Sequence, residues 1–188
     1  MEKLPTRQDL VRKVILPGSR GAEIGVFRGD FAAIMAKCPL AVLHLIDPWI
    51  KYPGYEKDPC MNNTNHDENL RVCQAQLAQD IARGRVIIHR GFSADIAVQT
   101  NFVLDWFYLD AYHIYPEVIQ DLRLWSKRLA PGGFIMGHDY VDGTQWAKVL
   151  EFGVIKAVTQ FCAEEGWEIQ YLTSEPDWPS YCLRKKAA

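Results

Sequence analysis

The chain has 188 residues, 48% of them hydrophobic and 23% charged, with a formal net charge of −2. That length suits a single domain spanning residues 1–188 with a real core, and the composition is ordinary for a soluble globular protein. There is no dense run of Lys or Arg, so the sequence predicts no nucleic-acid partner. Five cysteines, Cys38, Cys60, Cys73, Cys162 and Cys182, lie far apart without a C-x-x-C pair. An odd, scattered set points to reduced thiols in a cytoplasmic protein rather than a disulfide or zinc framework. The first residues carry no long apolar run, so neither a signal peptide nor a membrane partner is expected.

In chain order, residues 5–15 read as a first helix within an N-terminal segment 1–18. Thr6 and Asp9 suit its cap, and Leu10, Val11, Val14 and Ile15 form its apolar edge. Packing is favoured over a homodimer contact for this helix. Ala22, Ile24 and Val26 then alternate as on a strand, and Phe31, Ile34, Met35 and Cys38 follow at helical spacing. Between them lies G-A-E-I-G-V-F-R-G-D, where Gly25 and Gly29 allow a sharp turn or close ligand approach beside the acid Glu23. The spacing E-x-G-x-x-x-G departs from the G-x-G-x-x-G of a dinucleotide fold. An acid at that turn suits a cationic or hydroxyl-bearing ligand better than a phosphate.

Residues 41–46 form a second apolar strand ending in Asp47-Pro48-Trp49. Asp47 follows Gly25 by about 22 residues, near the interval at which an acid meets a ribose in nucleotide folds; Asp-Pro is equally a turn starter. Residues 50–66 lack periodicity and read as a lid loop, with Trp49, Tyr52 and Tyr55 either covering a ligand or packing the loop down. A helix is expected over 65–83 and a strand over 85–89 running into Gly91-Phe92-Ser93, then a strand over 103–110. Asp110-Ala111-Tyr112-His113 follows, with Pro116 opening the next helix. Pro131-Gly132-Gly133 leads into a strand over 134–137, ending at His138-Asp139-Tyr140. A helix over 151–165 and two final strands, 167–172 and 180–183, complete the chain as a hairpin. Alternating strands and helices imply a doubly wound, Rossmann-like α/β sheet with ligands at the carboxyl ends of its strands. Glu23, Asp47, Gly91, Asp110, His113, His138 and Asp139 all fall at such ends.

The runs D-A-Y-H-I-Y-P and L-A-P-G-G-F-I-M-G-H-D-Y, with the Glu23 turn, resemble the class I methyltransferases of methyltransferase family 24. These are similar in layout to metal-dependent O-methyltransferases of catechols and macrolide sugars. The resemblance implies a seven-stranded, mostly parallel sheet with an antiparallel last strand, and S-adenosylmethionine as cofactor. It implies that Glu23, Gly25 and Gly29 hold the methionine part, Asp47 the ribose, and Gly91, Phe92 and Ser93 the adenine, with Asp110 beside the cofactor. It further implies a magnesium or manganese ion on Asp110, His138 and Asp139, with Asp142 in reserve. Neighbouring strand ends lie about 4.8 Å apart, close enough to share one ion. A histidine ligand at His138 would favour manganese, iron or zinc over magnesium. His113 matches a catalytic histidine, and His138 is a second candidate base. The expected activity is methyl transfer to a hydroxyl of a small-molecule substrate such as a sugar or glycosylated natural product. A metal-free methyltransferase for an amine or carboxylate, and a nucleotide-binding domain without catalysis, stay open beside it.

Overall fold

The computed structural model describes residues 1–51, 65–145 and 150–187. Tyr52, Tyr55, Cys60 and most of the expected lid lie outside the described residues. An eight-stranded sheet runs in the order β1-β9-β10-β6-β5-β2-β3-β4. Its strands are β1 (Glu2–Leu4), β2 (Arg20–Ile24), β3 (Val42–Asp47), β4 (Val86–Arg90), β5 (Leu104–Leu109), β6 (Leu129–Gly137), β9 (Trp167–Thr173) and β10 (Tyr181–Lys185). Two short strands, β7 (Asp142–Gln145) and β8 (Leu150–Gly153), pair separately. The helices among the described residues are α1 (Arg7–Val14), α2 (Asp30–Met35), α3 (His66–Gln76), α4 (Ala78–Ala82), α5 (Ser93–Gln99), α6 (Tyr115–Ser126) and α7 (Val154–Glu165).

Strand alternation divides the core. Leu43 and Leu45 of β3, with Trp106 and Tyr108 of β5, face α1, α2 and α3. Their neighbours Ile46, Phe107 and Leu109 face α5, α6 and α7. Both faces of the central strands are thus covered, which explains their nearly continuous apolar runs. Only β10 runs against the other strands, antiparallel to both β6 and β9. The expected last antiparallel strand is therefore present. The eighth strand, β1, adds parallel to β9 at the edge.

Some boundaries differ from the sequence expectation. The helix expected over 65–83 breaks at Leu77, whose backbone leaves helical geometry between α3 and α4. The last helix starts at Val154, because Leu150–Gly153 is taken by β8. Strand β6 begins at Leu129, before the glycine pair that was expected to precede it.

β2 is flanked by β3 on one side and β5 on the other. The chain therefore crosses over at β2, and a crevice opens above the strand ends at that point. Backbone hydrogen bonds continue the ladder past the last strand residues. Gly25 N–H donates to Ile46 O at 2.9 Å, Asp110 N–H to Ile24 O at 2.8 Å, and His138 N–H to Leu109 O at 3.0 Å. Gly25, Asp110 and His138 are thereby set side by side.

Candidate functional site

Gly25 stands where β2 leaves the sheet, with φ at +85°. A Cβ there would fall 2.1 Å from the carbonyl oxygen of Asp110, so only glycine fits. Gly29, at φ +81°, caps α2, and a Cβ there would meet Cys73 Sγ of α3 at 2.8 Å. The turn between them is anchored by Asp47. Its Oδ2 accepts from the N–H groups of Val26 and Phe27 at 2.9 and 3.0 Å, and its Oδ1 from Trp49 N–H at 2.7 Å. Burial pushes the Asp47 pKa up, against these three donors that pull it down. Trp49 is fully buried and donates its indole N–H to Phe27 O at 2.7 Å. Trp49 is thus packed against the turn that follows Gly25.

Glu23 lies beneath this turn, buried, with Oε2 lacking any hydrogen-bond partner among the described residues. Burial, then the charge of Asp110, raises its pKa well above the carboxylate range. A buried acid short of a donor fits a cationic ligand group such as the ammonium of a methionine moiety. The residues thus fit S-adenosylmethionine at this end.

Across the crevice, His138 Nδ1 lies 2.8 Å from Asp139 Oδ1 and 3.7 Å from Asp110 Oδ1. Burial alone would lower the His138 pKa, but the two carboxylates raise it to about 10. These two carboxylates hold the His138 proton tightly, which weakens His138 as the base expected from the sequence. Burial pushes Asp110 upward, but His138 and then His113 bring its pKa net downward. His113 presents Nε2 to Asp139 Oδ2 at 3.1 Å and stacks on Phe152 with centroids 4.9 Å apart. Asp139 is buried and holds a left-handed backbone, φ +50°, a conformation that a non-glycine keeps only when its surroundings enforce it. Asp110, His113 and Asp139 offer three ligand atoms all within 4.8 Å of one another.

The turn expected to meet adenine opens α5. Gly91 N–H donates to Asp47 O at 3.1 Å, and Phe92 occupies the N-cap. The Ser93 hydroxyl is already engaged, donating to Asp121 Oδ1 and accepting from Trp125 Nε1 at 2.7 Å. Sequence reasoning missed Asp121, and nothing in its helical context marks it. Burial raises its pKa to about 7.

Trp125 stacks on Phe102, and Phe102 on His44, whose Nδ1 lies 2.9 Å from His89 Nε2. Burial, then the neighbouring His89, lowers the His44 pKa to about 4. Such a histidine costs nothing above its unfolded pKa near 6.5, and progressively more as pH falls toward 4. Urea titrations of wild type and His44→Gln should therefore diverge in the variant's favour, by on the order of 3 kcal/mol between about pH 7 and pH 4. Asp121 contributes with the opposite sign over this window, but equally in both proteins. A pH-independent difference would show that His44 titrates normally.

A model of a methyltransferase domain, methyltransferase family 24, matches residues 22–140, most of the sheet and every residue of the cluster above. The chain belongs to this methyltransferase family. A search of curated protein sequences finds no match. Among solved structures, the methyltransferase resembles a protein of Clostridium thermocellum described as an rRNA methylase. The identity is 12%, the TM-score 0.67, and 95% of each chain is covered. It also resembles SMU.1697c of Streptococcus mutans, described as a methyltransferase and solved with S-adenosylhomocysteine. Here the identity is 11%, the TM-score 0.65, and 99% of this chain and 100% of that one are covered. The N-methyltransferase NodS of Bradyrhizobium japonicum WM9 superposes with 17% identity and TM-score 0.64, covering 96% and 95%. Family and fold together make the protein an S-adenosylmethionine-dependent methyltransferase. One expectation is overturned: a neighbour of the same fold is described as an rRNA methylase, so the exclusion of nucleic acid from charge alone does not stand. Among the described residues no helix is long and apolar enough to cross a membrane.

Proposed function

We propose that this methyltransferase acts on a hydroxyl of a small metabolite, of the sugar or glycosylated natural-product class, with His113 as general base. The observation that carries this reading is the His113–Asp139 contact at 3.1 Å beside the cofactor turn. A hydroxyl is a poor nucleophile until its proton has a destination, whereas a neutral amine needs no such help, so a carboxylate-backed histidine favours oxygen. When bound, S-adenosylmethionine supplies an electrophilic methyl group on its sulfonium. With Nε2 facing Asp139 at 3.1 Å, the tautomer protonated there is favoured, which would leave Nδ1 to take the acceptor's proton. Glu23 holds the cationic end of the methionine moiety. Asp47, through Val26 and Phe27, keeps the turn in the shape that receives the cofactor.

The same cluster fits a divalent ion. Asp110, His113 and Asp139 would hold it, and a bound ion would lower the pKa of the acceptor hydroxyl. A mixed oxygen and nitrogen set suits manganese, iron or zinc better than magnesium.

Calorimetry with S-adenosylhomocysteine, followed by labelled methyl transfer to hydroxylated, amino and carboxylic acceptors and to rRNA fragments, tests the proposal. Micromolar binding with label on hydroxylated small molecules is the expected result. Label confined to amines or to RNA would overturn the acceptor class, and no binding would overturn the cofactor site.

A further inference from the structure

We infer that Arg7, the first residue of α1, is the carboxylate-binding residue of the cofactor site, gripping the methionine end that Glu23 holds by its ammonium. This assignment rests on the cofactor site described above. The backbone of Arg7 is fixed by its place at the start of a capped helix. Thr6 accepts from Asp9 N–H, and Arg7 N–H itself donates to Glu175 Oε2 at 3.1 Å. The side chain is then held over the Phe31 ring, with Cζ 4.4 Å from the centroid. Phe31 sits in the first turn of α2, directly after the Gly25–Gly29 turn. A guanidinium on an aromatic face keeps its in-plane N–H donors available to a ligand.

Those donors have little to do in the protein alone. The nearest carboxylate oxygen, Asp110 Oδ2, is 3.7 Å from Nη1, beyond hydrogen-bond length. The other oxygen of Asp110 faces His138 Nδ1, also at 3.7 Å. No hydrogen bond joins the guanidinium to another described residue, and its side chain is 29% exposed. Glu23, which feels the charge of Arg7, has its own unpartnered oxygen in the same crevice. A cationic fork and a buried acid, both short of partners above one strand end, are complementary to an amino-acid zwitterion. Arginine meets a carboxylate through two parallel N–H bonds, which would fix the orientation of the methionine chain as well as its affinity.

Calorimetry on wild type, Arg7→Met and Arg7→Lys with S-adenosylhomocysteine and its decarboxylated analogue, which keeps the amine, isolates this contact. Arg7→Met should bind S-adenosylhomocysteine about 10- to 100-fold more weakly and the decarboxylated analogue as wild type does, with partial recovery in Arg7→Lys. Equal weakening toward both ligands would reduce Arg7 to a support for α1 and overturn the assignment. Unchanged affinity with a raised KM for the acceptor would overturn it in favour of a contact to the substrate. Failure of wild type to bind either ligand would instead overturn the cofactor site, and this assignment with it. Should Arg7→Met not fold, Arg7→Gln carries the same comparison.

Discussion

Replacing His113 by glutamine is expected to lower kcat by about 10²- to 10⁴-fold while leaving the affinity for S-adenosylhomocysteine unchanged. Glutamine keeps much of the bulk against Phe152 but takes no proton at the working pH. Asp139→Asn should approach the same loss by a different route. The amide can offer its NH2 to Nε2, which favours the opposite tautomer and turns the acceptor nitrogen away from the substrate. Calorimetry with S-adenosylhomocysteine, run alongside the rates, separates lost chemistry from a lost cofactor site. Chelation then separates the two roles open to His113. If the histidine is the base, the wild-type rate survives EDTA. If Asp110, His113 and Asp139 hold an ion, EDTA abolishes the rate, manganese restores it, and both variants lose the heat of metal binding. A His113→Gln enzyme with wild-type kcat in EDTA would remove His113 from the mechanism altogether. His138, whose pKa the carboxylates of Asp110 and Asp139 raise to about 10, is the weaker of the two bases.

The sheet, and the gathering of the candidate site residues at its strand ends, were legible because both are written in short-range patterns. Alternation in Gly21–Val26 and the apolar run of Leu104–Leu109 reflect strands covered on two faces, and polar residues punctuate their ends. What the sequence hides depends on distance in space. Arg7 reaches the crevice only because α1 folds back over the sheet, and nothing in P-T-R-Q-D marks it. His44 and His89 are far apart in the chain and meet only because β3 and β4 are neighbours. β1 is three residues long with two of them exposed, too short to carry an alternation. The setting of His138 has the same origin. A histidine next to an aspartate in G-H-D-Y reads as a pair by itself, and only the fold brings Asp110, from the strand end of β5, to within 3.7 Å of it. Charge composition failed as a guide to partners because a net value says nothing about which substrates a fold accommodates.

Asp47→Ala is expected to cost about 3–5 kcal/mol of stability and to abolish S-adenosylhomocysteine binding, which is more than loss of a ribose contact would do. Three backbone N–H groups, on Val26, Phe27 and Trp49, share this one carboxylate, and each would be left without an acceptor in a half-buried turn. Two of those residues also hold left-handed backbones, Phe27 at φ +54° and Trp49 at φ +43°. Such strain costs about 1–3 kcal/mol per residue and persists only while the surroundings enforce it. Without the carboxylate the turn can relax, and the glycine-shaped receptacle between Gly25 and Gly29 relaxes with it. Asp47→Asn is the discriminating variant, because its single amide oxygen can still accept from Val26 and Phe27. Urea denaturation should show a smaller loss for it than for Asp47→Ala. An ionised carboxylate has about four acceptor positions, and the three amides leave one on Oδ1 for a ribose hydroxyl. If that position serves the ribose, Asp47→Asn folds yet binds S-adenosylhomocysteine at least about tenfold more weakly. If its affinity equals wild type, Asp47 shapes the site wholly through the backbone of the turn, and the ribose is held by other groups.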